Sequence, residues 1–173
     1  MIIPIRKRTP DDLPGMARVV VDTWRSTYRG LIPAEVLDGL SYERNEARYR
    51  EGLERNSPPI AYVAVDPSAG VVGVAVGGPA QAELAGFPGE LYAIYILAAY
   101  QGQGIGSRLL RAVFSQLEEA HLSPAVIWTL EQNRGACAFY RRLGGELVGR
   151  KLLSIGGAEL PELGFGFKNL SWV

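Results

Sequence analysis

Residues 101 to 106, Gln101-Gly102-Gln103-Gly104-Ile105-Gly106, stand between an apolar run at 91 to 97 (LYAIYIL) and a helix-patterned stretch at 107 to 120 (SRLLRAVFSQLEEA). A strand that ends in a glycine turn and hands the chain to a helix builds an anion site. The first N–H groups of the helix have no partner within it, and the positive end of its dipole faces outward. A phosphate or diphosphate suits that position. The spacing is not that of a nucleotide loop, because no Lys-Ser or Lys-Thr pair follows and the three glycines do not make G-x-G-x-x-G.

A second block, AVIWTLEQNRGACAFYRRLGGELVG at 125 to 149, reads as a strand from Ala125 to Glu131 and then a helix capped by Asn133. The apolar residues Ala136, Phe139, Tyr140 and Leu143 fall at i, i+3, i+4 and i+7, and Gly144 and Gly145 end the helix. Two ordered blocks therefore stand in the chain: Q-x-x-G-x-G as Gln101, Gly104 and Gly106, then a strand, an asparagine turn and a helix ending F-Y-x-x-x-G as Phe139, Tyr140 and Gly144. Together they resemble the GCN5-related N-acetyltransferase superfamily, over roughly residues 60 to 150.

The resemblance implies acetyl-CoA as co-substrate, no metal, and transfer of the acetyl group to a primary amine of a small molecule or peptide by direct attack in a ternary complex. It implies that the strands at 90 to 97 and 125 to 131 are parallel and splay apart. Ile94, Tyr95 and Ile96 would then offer main-chain bonds to pantetheine. Gln101, Gly102, Gln103, Gly104, Ile105, Gly106 and Ser107 would hold the pyrophosphate, and Asn133 would bond the pantetheine arm. A CoA-binding sensor without turnover, or use of a longer acyl-CoA, stays open beside this reading.

Such a transfer needs a neutral amine, a polarised carbonyl and a proton for the departing thiolate. An aliphatic amine, pKa near 10.4, lies about three units above neutrality, so deprotonating it costs roughly 4 kcal/mol. A thiolate leaves with a pKa of about 8.5, and a tyrosine near 10 stays protonated until that charge develops. By the resemblance Tyr140 is the acid, although its place in the Phe139 and Leu143 stripe also suits a core aromatic. Glu90, eleven residues before Gln101, resembles the catalytic glutamate of the histone-acetylating branch; Glu83 and ordered water are the rivals for the base. A backbone N–H near Ile96 would polarise the carbonyl.

TWRSTYRGLIP at 23 to 33 falls where the superfamily builds one wall of the acceptor site, which offers Trp24, Tyr28 and Arg29 as substrate contacts. Trp24 and Tyr28, spaced i and i+4, also fit plain core packing. Arg25 and Arg29, if they face the cleft, would favour an acceptor with a carboxylate or phosphate. His121 lies beyond the far end of the helix that follows the cradle, where it suits a surface role, and Cys137 reads as a small buried hydrophobe.

The whole chain bounds these readings. A length of 173 residues at 47% hydrophobic content suits one domain over 1 to 173 with a core large enough to fold unaided. Eighteen basic residues balance eighteen acidic ones without a basic run, which argues against nucleic acid as partner. One cysteine and one histidine cannot supply the usual structural zinc ligands. No apolar run approaches the roughly 18 residues that span a bilayer, and MIIPIRKRT does not read as a signal peptide, so a cytoplasmic chain with no membrane partner is expected. Dimerisation is frequent in the superfamily, which makes a homodimer a partner that the resemblance allows.

The expected order is a strand at 2 to 8, a helix from the Thr9 cap to about Tyr28, a short helical turn after Pro33, and a helix over 42 to 54. A hairpin at 60 to 66 and 71 to 77 follows, then an irregular connection at 80 to 89 and the two blocks above. A last hairpin at 146 to 155 and 158 to 168 turns at Gly156-Gly157. This is an α/β fold with a mixed, mostly antiparallel sheet of six to seven strands flanked by helices, with a splayed parallel pair, the acyl-CoA N-acyltransferase fold. Two departures stand out. Gln103 occupies a place where many members carry Arg or Lys, and FPGE replaces the commoner charged lead-in to the fourth strand.

Overall fold

The valine- and alanine-rich segments at 60–66 and 70–79 pair with each other and form the centre of a seven-stranded sheet, seen in a computed structural model that describes residues 2–55 and 57–168. The strands are β1 (Ile5–Lys7), β2 (Ile60–Asp66), β3 (Gly70–Pro79), β4 (Gly89–Ile96), β5 (Ala125–Leu130), β6 (Glu146–Ile155) and β7 (Ala158–Phe167). Their spatial order is β1-β2-β3-β4-β5-β7-β6, and β4 with β5 is the parallel pair. The helices are α1 (Leu13–Thr27), α2 (Ala34–Asp38), α3 (Tyr42–Leu53), α4 (Ile105–Glu119) and α5 (Arg134–Arg142).

Alternation along the strands splits the core into two layers. Ala64 and Ala75 join Leu91, Ile127, Phe165 and Phe167 under α4, whose Leu109, Leu110, Val113, Phe114 and Leu117 are buried. Their neighbours Val63 and Val74 go to the other face, with Leu13, Met16, Val19 and Val20 of α1. A sheet covered on both faces explains why β3 is buried from Val71 through Gly78 rather than alternating with solvent. The short α2 sits over a third, smaller cluster of Ile32, Leu37 and Leu130, against which Leu153 and Leu160 pack.

The sequence expectations hold with local shifts. The first strand is three residues long, and a 3₁₀ turn at Pro10–Asp12 precedes α1, so the Thr9 cap serves that turn. The connection after β3 is an irregular loop at 80–88. Gly156 and Gly157 both have positive φ, 56° and 78°, as the mirror-image two-residue hairpin turn requires. The last hairpin enters the sheet with β7 inside and β6 at the edge.

Asp12 ties β1 to the start of α1. Its carboxylate takes two bonds from the Arg6 guanidinium, at 2.7 and 2.8 Å, and a third from Thr9 N–H at 2.7 Å. Burial pushes the carboxyl up, but the bonds from Arg6 and Thr9 outweigh it and hold its pKa below the ordinary carboxylate value. Stability from this group is therefore present above the unfolded-state pKa of about 3.9 and is lost as pH falls through the lower folded value. An Asp12→Asn variant is expected to be less stable at pH 7 and to lose less stability than the parent on acidification below about pH 4, as read by urea denaturation across that range.

Candidate active site

The site begins where the sheet opens. β4 and β5 pair only at Gly89↔Ala125, Glu90↔Val126 and Leu91↔Ile127, although β4 runs on to Ile96 and β5 to Leu130. On its other side β4 stays paired to β3, with a register shift that sets Val76 opposite Ala93 and Gly77 opposite Leu91. Tyr92 is thus the extra residue of a bulge, placed at the first position beyond the last β4–β5 pair. A bulge bends its strand and raises its twist, and here it turns β4 away from β5. Tyr92 is pinned there by its hydroxyl, which donates to Pro79 O at 2.6 Å.

On the far side, β5 keeps its bonds to β7 from Ala125↔Phe167 through Leu130↔Glu162. Trp128 lies over Gly149 and Gly164, where a Cβ on either glycine would come within 2.9 Å of the indole. Lys151 Nζ stands 4.2 Å from the centre of that ring and 3.7 Å from Glu162 Oε2. The resulting wedge holds a cavity of about 480 Å³, within the range of small-ligand sites. Its walls include Tyr92 to Ile96 of β4 and Ile127 to Thr129 of β5.

The glycine turn closes one end of the wedge. Gly104 caps α4 with φ +75°, a left-handed conformation that costs other residues, and nothing lies within 4 Å of where its side chain would be. Gly106 is needed for the opposite reason, since a Cβ there would sit 3.1 Å from Phe139 Cζ and 3.2 Å from Ile96 Cδ1. The bond from Arg108 N to Gly104 O, at 3.3 Å, is the first of the helix, so the N–H groups of Ile105, Gly106 and Ser107 precede it. Gln101, Gly102, Gly104, Gly106 and Ser107 all line the wedge. Gln101 Nε2 donates to Ile96 O at 2.9 Å and Gln103 Nε2 to Ala99 O at 3.0 Å, so both side chains brace the turn.

α5 supplies the opposite wall. Asn133 caps it by accepting Ala136 N–H on Oδ1 at 3.1 Å, and it lines the cavity together with Tyr28. Tyr140 is 4% exposed, lines the cavity and packs on Phe139 and Phe165. Burial, with smaller contributions from Tyr28 and Cys137, pushes the Tyr140 phenol far above its ordinary pKa, so it holds its proton at neutral pH. Tyr28 is raised by burial too, while the nearby Asn133 side chain works against the rise.

The other residues singled out from the sequence fall in different places. Glu90 is 7% exposed, sits on the still-paired part of β4, accepts Gln81 N–H on Oε2 at 2.9 Å and is not part of the cavity lining. Glu83 is exposed in the preceding loop. Trp24 packs behind the wall, edge-on to Tyr28 at 5.0 Å and to Tyr95 at 6.5 Å. Arg29 is exposed, and Arg25 donates to Leu40 O at 3.0 Å beside the Tyr42 ring, away from the lining. Cys137 is buried and burial raises its thiol. The sequence reading did not single out Thr23, Thr27, Tyr92 or Trp128, all of which line the cavity. Their one advance signal was proximity to positions already named.

A split parallel pair roofed by a glycine turn and flanked by a capped helix defines an acyl-CoA N-acyltransferase fold. The family model described as the acetyltransferase (GNAT) family matches residues 20–145, and the chain belongs to that family: it is an acetyl-CoA-dependent N-acetyltransferase. It is 35% identical, over 98% of its length and 95% of that protein's, to the uncharacterized N-acetyltransferase YuaI of Bacillus subtilis (strain 168). Its fold is similar to that of the PaiA N-acetyltransferase of Thermoplasma acidophilum in complex with coenzyme A (TM-score 0.70, 20% identity, 94% of this chain and 98% of that one). It is equally similar to yncA of Salmonella typhimurium, a putative acetyltransferase with acetyl-CoA (TM-score 0.71, 17% identity, 98% and 94%).

Gly104→Ala is expected to cost roughly 1–2 kcal/mol of stability from the left-handed backbone alone. It should also weaken coenzyme A binding as the cradle's N–H groups shift. Urea denaturation and calorimetric titration measure the two effects.

Proposed function

We propose that this chain transfers the acetyl group of acetyl-CoA to a primary amine of a small molecule or peptide, by direct attack in a ternary complex and without a metal. The observation that carries the proposal is the run of β4 from Tyr92 to Ile96 that has no partner on its β5 side, which ends at the glycine cradle and lines one cavity with Tyr140. Strand groups left without a ladder are costly unless a ligand fills them, and an arm with two amides meets that need. The residues present fit acetyl-CoA: main-chain groups of Ile94, Tyr95 and Ile96 for the pantetheine amides, and the turn from Gln101 to Ser107 for the pyrophosphate. Asn133 supplies a side-chain amide beside the arm. Both neighbours named above carry CoA or acetyl-CoA, which supports the assignment.

With Gln103 in place of a cation, phosphate binding rests on backbone dipoles. Tyr140, kept protonated by its burial, gives its proton to the sulfur as the thioester breaks. Release of free thiol from acetyl-CoA against a panel of amines tests the reaction, and a flat calorimetric titration with coenzyme A would remove its basis. Tyr140→Phe is expected to lower kcat by about 10²- to 10⁴-fold with coenzyme A affinity preserved.

Glu90 stands outside the cavity lining with one carboxylate oxygen taken by Gln81. A Glu90→Gln variant is therefore expected to keep the acidic limb of its kcat/KM profile, which leaves the amine's proton to cleft water or to the phenols. Loss of that limb would make Glu90 the base.

A further inference from the structure

The glycine cradle holds no cation of its own. Gln103 is neutral and spends its amide on Ala99 O, while Arg108, the basic residue in the opening turns of α4, donates to Ile3 O at 2.8 Å and does not line the cavity. Against the negative charge of a diphosphate the end of a helix sets only about half an elementary charge. Among the described residues that line the cavity, one side chain carries a permanent charge, and it is Arg142.

Its place follows from the periodicity of α5. Phe139 and Arg142 are three residues apart and share the side of the helix that borders the cavity. Arg141 leaves in another direction and lies over the Phe165 ring at 5.3 Å, outside the lining. Arg142 lies over the Phe139 ring at 5.9 Å. Cζ of that same ring would stand 3.1 Å from a Cβ on Gly106, in the first turn of α4. One aromatic ring thus separates the guanidinium from the turn whose N–H groups have no partner within the helix. Arg142 is exposed and makes no ion pair or hydrogen bond with its side chain among the described residues, so its fork of donors is available to an anion.

We propose that Arg142 binds a phosphate of coenzyme A and supplies the positive charge that Gln103 does not. The inference rests on the acetyl-CoA reading set out above. A guanidinium presents parallel N–H donors that match two oxygens of one phosphate, and the Phe139 ring gives it a flat surface to rest on. Coenzyme A offers two such groups, the diphosphate that the cradle receives and the monoester on its ribose. Either meets the same fork. The residue holds the cofactor and moves no proton, so its share shows in affinity and not in turnover.

Calorimetric titration of the wild type, Arg142→Gln, Arg142→Lys and Arg141→Gln, each with coenzyme A and with its 3′-dephospho form, tests the assignment. Arg142→Gln should bind coenzyme A about tenfold more weakly or worse, and Arg142→Lys should recover part of the loss, since it restores the charge without the fork. Arg141→Gln removes the same charge outside the cavity, where solvent screens it, and should change Kd by less than about twofold. In Arg142→Gln the acetyl-CoA KM should rise while kcat at saturation stays within about twofold. An equal loss with both ligands assigns Arg142 to the diphosphate, and a loss confined to coenzyme A assigns it to the ribose phosphate. Unchanged affinity in Arg142→Gln, an equal loss in Arg141→Gln, or a fall in kcat with KM unchanged would overturn the inference and leave acetyl transfer intact. Should the Gln variant not fold, Arg142→Lys decides, by weakening coenzyme A several-fold or not at all. A wild type that gives no heat with either ligand would remove the acetyl-CoA reading itself, and this inference with it.

Discussion

Every feature of the site depends on the early end of the β4–β5 ladder. A parallel pair buried between helices would ordinarily keep its bonds to the end, because unpaired main-chain groups inside a protein cost free energy. Here the pairing stops after Leu91 and Ile127, and the bulge at Tyr92 is the local cause. From that break follow a β4 edge that meets no strand on its β5 side beyond Leu91, and the room for a ligand arm. The common opening onto Tyr28 and Tyr140 follows as well.

The two ends of the wedge are held by different means. At the closed end, Gly89 to Leu91 pair on both sides. At the open end, α4 and α5 replace the missing strand contacts, with Gly106 allowing Phe139 and Ile96 to meet the first turn of α4. The cradle and the α5 wall are therefore one packed unit. One contact, Gly106 against Phe139 and Ile96, thus ties the glycine turn to the helix that carries Tyr140.

Much of this was legible in the residues. The cradle could be read because its glycines answer backbone demands at fixed offsets, left-handed at Gly104 and close approach at Gly106, and such demands leave few alternatives. The α5 helix could be read from its Asn133 cap and its apolar stripe. The mirror-image turn at Gly156-Gly157 was equally plain, but the position of its hairpin was not, since the two strands pair with each other whichever of them meets β5. Glu90 looked like a base from its spacing. Its seclusion depends on the bulge two residues later and on Gln81 from the loop, neither of which has a periodic signature. Tyr28 at the end of α1 and Asn133 at the start of α5 line one cavity, a tertiary proximity that no local pattern announces.

Trp128 has a bare floor. Its indole settles onto the backbone of β7 and β6 because Gly164 and Gly149 present nothing above the sheet. Even a methyl group at either place would press on the ring, which lines the cavity. The width of the cavity is thus influenced from an outlying hairpin, and evolution or an engineer could alter it through two positions that do not line it.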